Sequence, residues 1–445
     1  MEDTMNHFSL KHSAKCHLIL AIALVFVILI PVAGCATSDN SADSQKQYTF
    51  WPEYPASPRI QFLVSYESSN DIEHPASKLE QLAFGKEPQA VFQIGKPYGV
   101  DMYGDEIFLC DTKTAAVVIL DPANEEFRLL GAKNPGKLVR PIDIAISSDG
   151  TRYVADNMQD RILVYDSEDR YLDSFNMPEK AMPVAVSVDG DRLYVAMFAK
   201  HQVSIRNRYT GKEIGTIGEP GKGDGQFSGP IGVAHDKDGN IFVTDMFGYR
   251  VQRFSHDGTF LNIIGKQGDQ PGTFARPKHL AVDNDNILYV VDAAFQNVQM
   301  FDENGNLLMF FGGGSDLPGA MDLPAGVCVR EGDLGYYKKF VHPAFDAKRL
   351  ILVSNQFGHN KVSVYAMGQL KAGHSIKEIN ASSRKIPVLN EGDKINSMFQ
   401  GIPQEAPPAD NGEKPNSATQ DNNQPDKSNS NQPVPPADEN DKPGN

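Results

Sequence analysis

Tryptophan is almost missing: there is one in 445 residues, Trp51, and it lies outside the repeated units described below. That excludes repeat families in which a Trp-Asp pair recurs in every unit. Cysteine is scarce as well. Of the four, Cys16 and Cys35 fall in the leader, leaving Cys110 and Cys328 for the folded part. With no CxxC or CxxCH spacing, thioredoxin-like chemistry, covalent haem attachment and cysteine-built zinc sites lack their signatures. Two thiols are also too few for a disulfide framework. Positive charge is in deficit: 42 Lys and Arg against 57 Asp and Glu leave a formal charge of −15. This argues against a nucleic-acid partner, because phosphate binding needs a basic surface. What remains is ordinary globular material, 40% hydrophobic and 9% aromatic, enough for one large domain or two ordinary ones.

Residues 1–34 read as a leader. Lys11 and Lys15 flank an apolar stretch that is broken by Pro31, ends in small residues, and is followed at once by Thr37-Ser38-Asp39-Asn40. This is the pattern of a signal peptide more than of a permanent membrane helix. Val32-Ala33-Gly34-Cys35 resembles a bacterial lipobox. The resemblance implies cleavage before Cys35 and acylation of that cysteine, and several acyl chains anchor stably at about 0.8 kcal/mol per buried CH₂. Ala36 stands where an aspartate would resemble an inner-membrane retention signal, so the implied address is the bacterial outer membrane. Residues 35–50 would then be the lipidated cysteine and a polar tether.

From residue 97 a pattern recurs. A proline is followed by a short apolar strand, a DG or DN turn, an apolar run ending in Asp, a third run with a basic residue, and a fourth ending in Gly. The start prolines are Pro97, Pro141, Pro183, Pro230, Pro277 and Pro324, spaced 44, 42, 47, 47 and 47 residues apart by subtraction. Four strands in a period of this size predict an all-β, six-bladed β-propeller over residues 51–370. The sixth unit lacks a good fourth strand, since GQLKAG is poor. The early segment Arg59–Tyr66 supplies one, so the N-terminal strand is expected to close the last blade. A short helix is expected over Pro75–Phe84.

VADNMQDRILVYD, VTDMFGYRVQRFSHDGTFLNIIG and VVDAAFQNVQMFDENGNL look like NHL repeats. The chain resembles the bacterial six-bladed NHL lipoproteins, whose family includes ligand-binding scaffolds, RNA-binding modules and an amidating lyase. That lyase is similar in fold and binds zinc through channel histidines, one directly after a blade-start proline. Here those positions are Tyr98, Ile142, Val184, Ile231, Lys278 and Ala325, so the zinc site is not implied. The calcium site of gluconolactonase-like propellers cannot be assembled from these columns either.

Repeated residues are read first as scaffold. Asp156, Asp245 and Asp292 end their strands, where a carboxylate accepts N–H bonds from the next turn, and Arg161 and Arg250 are placed to pair with Asp156 and Asp245. Cys110 and Cys328 occupy columns of small residues and are read as packed thiols. Function should lie where the units differ. The second residue after each proline faces the channel mouth: Gly99, Asp143, Ala185, Gly232, His279 and Gly326. Asp143 and His279 stand three blades apart, as a polar pair in channel water or as a site for a metal or anion. No cofactor is expected beyond that channel metal. Phe198, Phe247, Phe295 and Phe357 are nearly equivalent in the second-to-third-strand loops of four consecutive blades. With His201, Tyr249 and His359 they form either a partner rim or packing beneath their own loops. The first two blades carry polar loops, Thr112-Lys113-Thr114 and Asn157-Met158-Gln159. An insertion, Glu331 to Lys348, is expected on the opposite face.

Residues 371–445 read as a linker and a disordered tail; 401–445 hold nine prolines and no aromatic residue. The expectation is a monomeric, lipid-anchored scaffold that binds an envelope protein or small ligand on its top face and touches the membrane through its anchor. A metal-dependent propeller enzyme, amidating-lyase-like or lactonase-like, is the alternative.

Overall fold

A computed structural model describes residues 48–73, 90–314 and 318–382. The leader, Cys35, the tether to residue 47, the helix expected at Pro75–Phe84 and everything after 382 lie outside those residues. Among the described residues no helix is long and apolar enough to cross a membrane.

Two N-terminal strands, β1 (Thr49–Trp51) and β2 (Ile60–Tyr66), precede the repeats. Blade 1 follows as β3 (Pro97–Tyr103), β4 (Glu106–Asp111), β5 (Ala116–Asp121) and β6 (Glu126–Leu130). Blade 2 is β7 (Pro141–Ile146), β8 (Arg152–Asp156), β9 (Arg161–Tyr165) and β10 (Tyr171–Asn176). Blade 3 is β11 (Pro183–Asp189), β12 (Arg192–Met197), β13 (Gln202–Asn207) and β14 (Glu213–Ile217). Blade 4 is β15 (Pro230–His235), β16 (Ile241–Asp245), β17 (Arg250–Phe254) and β18 (Phe260–Ile264). Blade 5 is β19 (Pro277–Val282), β20 (Leu288–Asp292), β21 (Asn297–Phe301) and β22 (Leu307–Gly312). Blade 6 has β23 (Pro324–Glu331), β24 (Phe345–Asn355) and β25 (Val362–Leu370). Each of the first five sheets is a four-stranded antiparallel meander, and the sixth runs β1-β2-β25-β24-β23.

β2 therefore closes the ring, with Ile60 opposite Met367 and Tyr66 opposite Val362. One strand went unanticipated: β1 adds a fifth to the last blade, Trp51 pairing with Ile60. Every inner strand begins on its proline, where the missing N–H costs no ladder bond. In all six blades the register shifts just after that proline, as between Pro141 and Asp143 or Pro277 and Leu280. Such a bulge re-aims the side chain beside it. It sets the direction of the Asp143 and His279 column.

Cores lie between blades. Phe108, Val117 and Ile119 of blade 1 pack with Ile144, Val154 and Leu163 of blade 2, all buried. The linker expected from residue 371 contains a short helix, α1 (Ile376–Ser382), and Ile379 is buried in the cluster shared by blades 6 and 1. One apolar side chain is enough to dock that turn.

Candidate functional site

The top face carries the loops that enter each inner strand and the loops between second and third strands. One contact, repeated in all six blades, ties them together. The carbonyl of the residue before each start proline accepts the N–H that opens the second-to-third loop. The pairs are Lys96 with Thr112, Arg140 with Asn157, Met182 with Phe198, Gly229 with Met246, Arg276 with Ala293 and Leu323 with Gln356.

The strand-ending carboxylates complete this clasp. Asp111 accepts N–H bonds from Gly95 and Lys96 on one loop and from Lys113 on the other. Asp156 does the same for Val139, Arg140, Met158 and Gln159, and Asp292 for Ala275, Arg276, Ala294 and Phe295. All three are fully buried. Asp245 binds Ser228 and Gly229 and meets Arg250 at 3.3 Å. The matching pair of Asp156 with Arg161 does not form, because Gln159 intervenes and takes the Arg161 guanidinium.

Four phenylalanines line the face unequally. Phe247 and Phe357 are 55% and 49% exposed, whereas Phe198 and Phe295 are half-buried. Phe198 meets Phe247 edge-on, with ring centroids 5.9 Å apart. Gly229 makes room for them, since a Cβ there would lie 2.8 Å from the Phe247 ring and 3.2 Å from that of Phe198. Met158 lies in the arc expected to be polar, yet it is 63% exposed, and Val139 beside its loop is exposed too. The apolar surface therefore reaches into blade 2.

His201 and Tyr249 both sit in the left-handed region at φ 54°, at the last loop position before the third strand. Ala115, Asp160 and Gln296 share that conformation in their own blades. A backbone requirement thus sets this position. Tyr249 also packs against the blade 4–5 core, so it adds less to the rim than its loop position implied. His359 is exposed and bonds Glu67 at 2.9 Å.

Beneath the face, Asp143 and His279 meet across the axis. Asp143 Oδ2 lies 3.1 Å from His279 Nε2, and His279 Nδ1 lies 3.3 Å from the Val327 carbonyl. Both ring nitrogens face acceptors, so an imidazolium satisfies both and a neutral ring only one. Burial pushes the His279 pKa down, but the charge and hydrogen bond of Asp143, helped by the Val327 carbonyl and Asp101, outweigh it and hold the pKa above its usual value. Asp143 Oδ2 also accepts the Val186 N–H, while Oδ1 is buried with no partner among the described residues. Gly99 permits this approach, since a Cβ there would lie 2.3 Å from Oδ1.

Two further channel pairs were missed. Cys328 donates its thiol to Asp101 Oδ1 at 3.3 Å, and Ser187 Oγ lies 2.9 Å from His235 Nδ1. The signal was present in the column of Asp101, Ala145, Ser187, Ala234, Ala281 and Cys328, whose polar members were passed over as small. Burial raises the Asp101 carboxyl to about 6, only partly offset by N–H bonds from Met102 and Ile146. Burial, and then the charge of Asp101, also raise the Cys328 thiol, and both cysteines are free. Burial lowers His235.

The donor set does not fit a catalytic metal. Asp143 and His279 bond each other directly, and among the described residues no third His, Cys, Asp or Glu joins them. Zinc takes three protein ligands and calcium six or more oxygens. The pair holds a proton where a metal would need room.

A family described as a 6-bladed beta-propeller matches residues 228–309, most of blades 4 and 5. No curated protein matches the chain. The chain is an all-β six-bladed propeller. Similar solved structures include virginiamycin B lyase from Staphylococcus aureus, at 12% identity and a TM-score of 0.44 over 62% of this chain and 96% of the lyase. Another is a structural genomics protein of unknown function from Bacteroides thetaiotaomicron, at 13% identity and 0.48 over 70% and 76%. Kuenenia stuttgartiensis hydrazine synthase is similar at 13% identity and 0.42 over 63% and 97%. None of these carries its activity over to this propeller.

Proposed function

We propose that this protein is a lipid-anchored propeller of the NHL type in the bacterial envelope, held at the outer membrane through Cys35, and that it serves as a binding scaffold rather than an enzyme. One observation carries the reading: Phe247 and Phe357 stand about half exposed on loops whose backbones are otherwise fully clasped. A loop held by Asp245 or Asn355 has no structural need of an exposed phenyl ring. Covering the exposed half of each ring contributes about 1 kcal/mol to a complex. The address rests on the leader and on Val32-Ala33-Gly34-Cys35.

The test uses the tagged full-length chain in its own cells. Phe247→Ser/Phe357→Ser should lose crosslinking to the envelope partner held by the wild type while melting at the same temperature. Cys35→Ala should move the chain from the membrane fraction to the soluble one. Unchanged crosslinking would sink the scaffold reading, and unchanged fractionation the anchor.

A further inference from the structure

We infer that the ligand of the top face is an acidic peptide segment, its carboxylates met by Arg140 and Arg276 around the channel mouth and its apolar side chains by Phe198 and Phe247. This rests on the scaffold reading above and names the partner's chemistry.

Charge is sorted within the loops themselves. Three of the six residues that precede a start proline are cations: Lys96, Arg140 and Arg276. The carboxylates of the same three blades, Asp111, Asp156 and Asp292, are turned inwards and spread over backbone N–H donors. Among the described residues neither the Arg140 nor the Arg276 guanidinium pairs with a carboxylate, and both residues reach solvent. Lys278, one residue beyond its proline, is buried, 3.3 Å from Gln356 Oε1 and 5.0 Å from the centre of the Tyr98 ring. Lys96 stands 5.6 Å from the Phe357 ring. Cations and aromatic rings are thus interleaved over blades 5, 6, 1 and 2, while blades 3 and 4 present Met182, Phe198 and Phe247. In a chain of net charge −15, the loop entering blade 2 exposes Lys133, Lys137 and Arg140 with no acid among them, although the loops entering blades 3, 5 and 6 also expose Glu179, Asp269 and Asp322.

Spacing selects the ligand. Arg140 belongs to blade 2 and Arg276 to blade 5, three blades apart on opposite sides of the mouth. A small inorganic anion needs converging donors and cannot bridge them, whereas an extended chain can. Nucleic acid needs a continuous basic track, which a few separated cations on an acidic protein do not provide. An extended segment with alternating acidic and apolar residues matches both sectors.

The experiment is fluorescence anisotropy with the full chain and a labelled twelve-residue peptide in which Glu alternates with Leu and Phe. Its Gln-for-Glu counterpart, inorganic phosphate and a single-stranded oligonucleotide are the comparison probes. The Glu peptide should bind at least about tenfold more tightly than the Gln peptide and weaken as salt rises. Arg140→Gln/Arg276→Gln should lose about tenfold in affinity. Arg140→Lys/Arg276→Lys should retain most of it, which a folding defect would not allow. Equal binding of the two peptides, or an unchanged Gln variant, would overturn the proposal, as would tighter binding of phosphate or oligonucleotide. If the arginine variants leave the envelope crosslink intact while the Phe247/Phe357 variant abolishes it, the scaffold stands and the acidic partner falls. If neither variant weakens the crosslink, both fall.

Discussion

The two faces of the ring use the same residue types in opposite ways. On the bottom, arginines cross from blade to blade and find carboxylates. Arg128 reaches Asp169 of the next blade as well as Glu106 of its own, Arg208 lies 2.8 Å from Asp149, and Arg349 binds Asp283 and Asp285. The insertion before β24 belongs to this face and covers it, with Tyr337 buried and its hydroxyl bonded to the Asp105 carbonyl. On the top, the strand-ending carboxylates serve backbone N–H groups, with Arg250 held by Asp245, and the Arg140 and Arg276 side chains are left facing solvent. One face spends its charge on holding blades together, and the other keeps cations and rings available. Cohesion and availability are separated by about one strand length.

The comparison breaks most easily at the clasp. Asp292→Ala removes the buried carboxylate that accepts four backbone N–H bonds and should cost about 3 kcal/mol, measured by urea unfolding. Asp292→Asn should recover much of this, because Asn355 already serves blade 6, accepting the Asp322 N–H. A loss below about 0.5 kcal/mol would mean that the top loops do not depend on their carboxylates.

The axial pair gives a smaller effect with a definite sign. His279 has its folded pKa raised, so its contribution is fully present below the ordinary histidine value of about 6.5. It is lost as pH rises through the raised value. His279→Gln should therefore be less stable than wild type near pH 5.5, with the gap shrinking as pH rises. Parallel stability curves for the two proteins would show that the bond carries no proton linkage. Smallest of all should be Arg208→Ala: Arg208 is buried, but the Asp149 it leaves behind is half exposed and can be solvated, so the loss should be about 1 kcal/mol. A loss near 3 kcal/mol, checked by the same unfolding measurement, would make the bottom network more cooperative than its geometry implies.

Much of the fold was legible, because a proline every forty-odd residues and one missing fourth strand suffice to count blades and to close the ring. β1 was not, since Thr49-Phe50-Trp51 is too short to carry a pattern. Column offsets brought Asp143 and His279 to one level, but a direct bond depends on the width of the axis, which Gly99 helps set and no spacing encodes. Asp156 and Asp245 looked equivalent in sequence. Gln159 separates them, and only side-chain geometry shows which neighbour wins. Met158 was hidden between Asn157 and Gln159, although its exposure extends the apolar sector into blade 2.

The bond between β2 and β25 also has a timetable. Tyr66 waits for Val362, 296 residues later by subtraction, before the ring can shut. At about 5–20 residues per second the first clasp strand exists for about 15–60 s before its partner is made. During that interval the blades can form only an open arc. A latch assembled from the two ends of the propeller postpones locking until its last blade has been made.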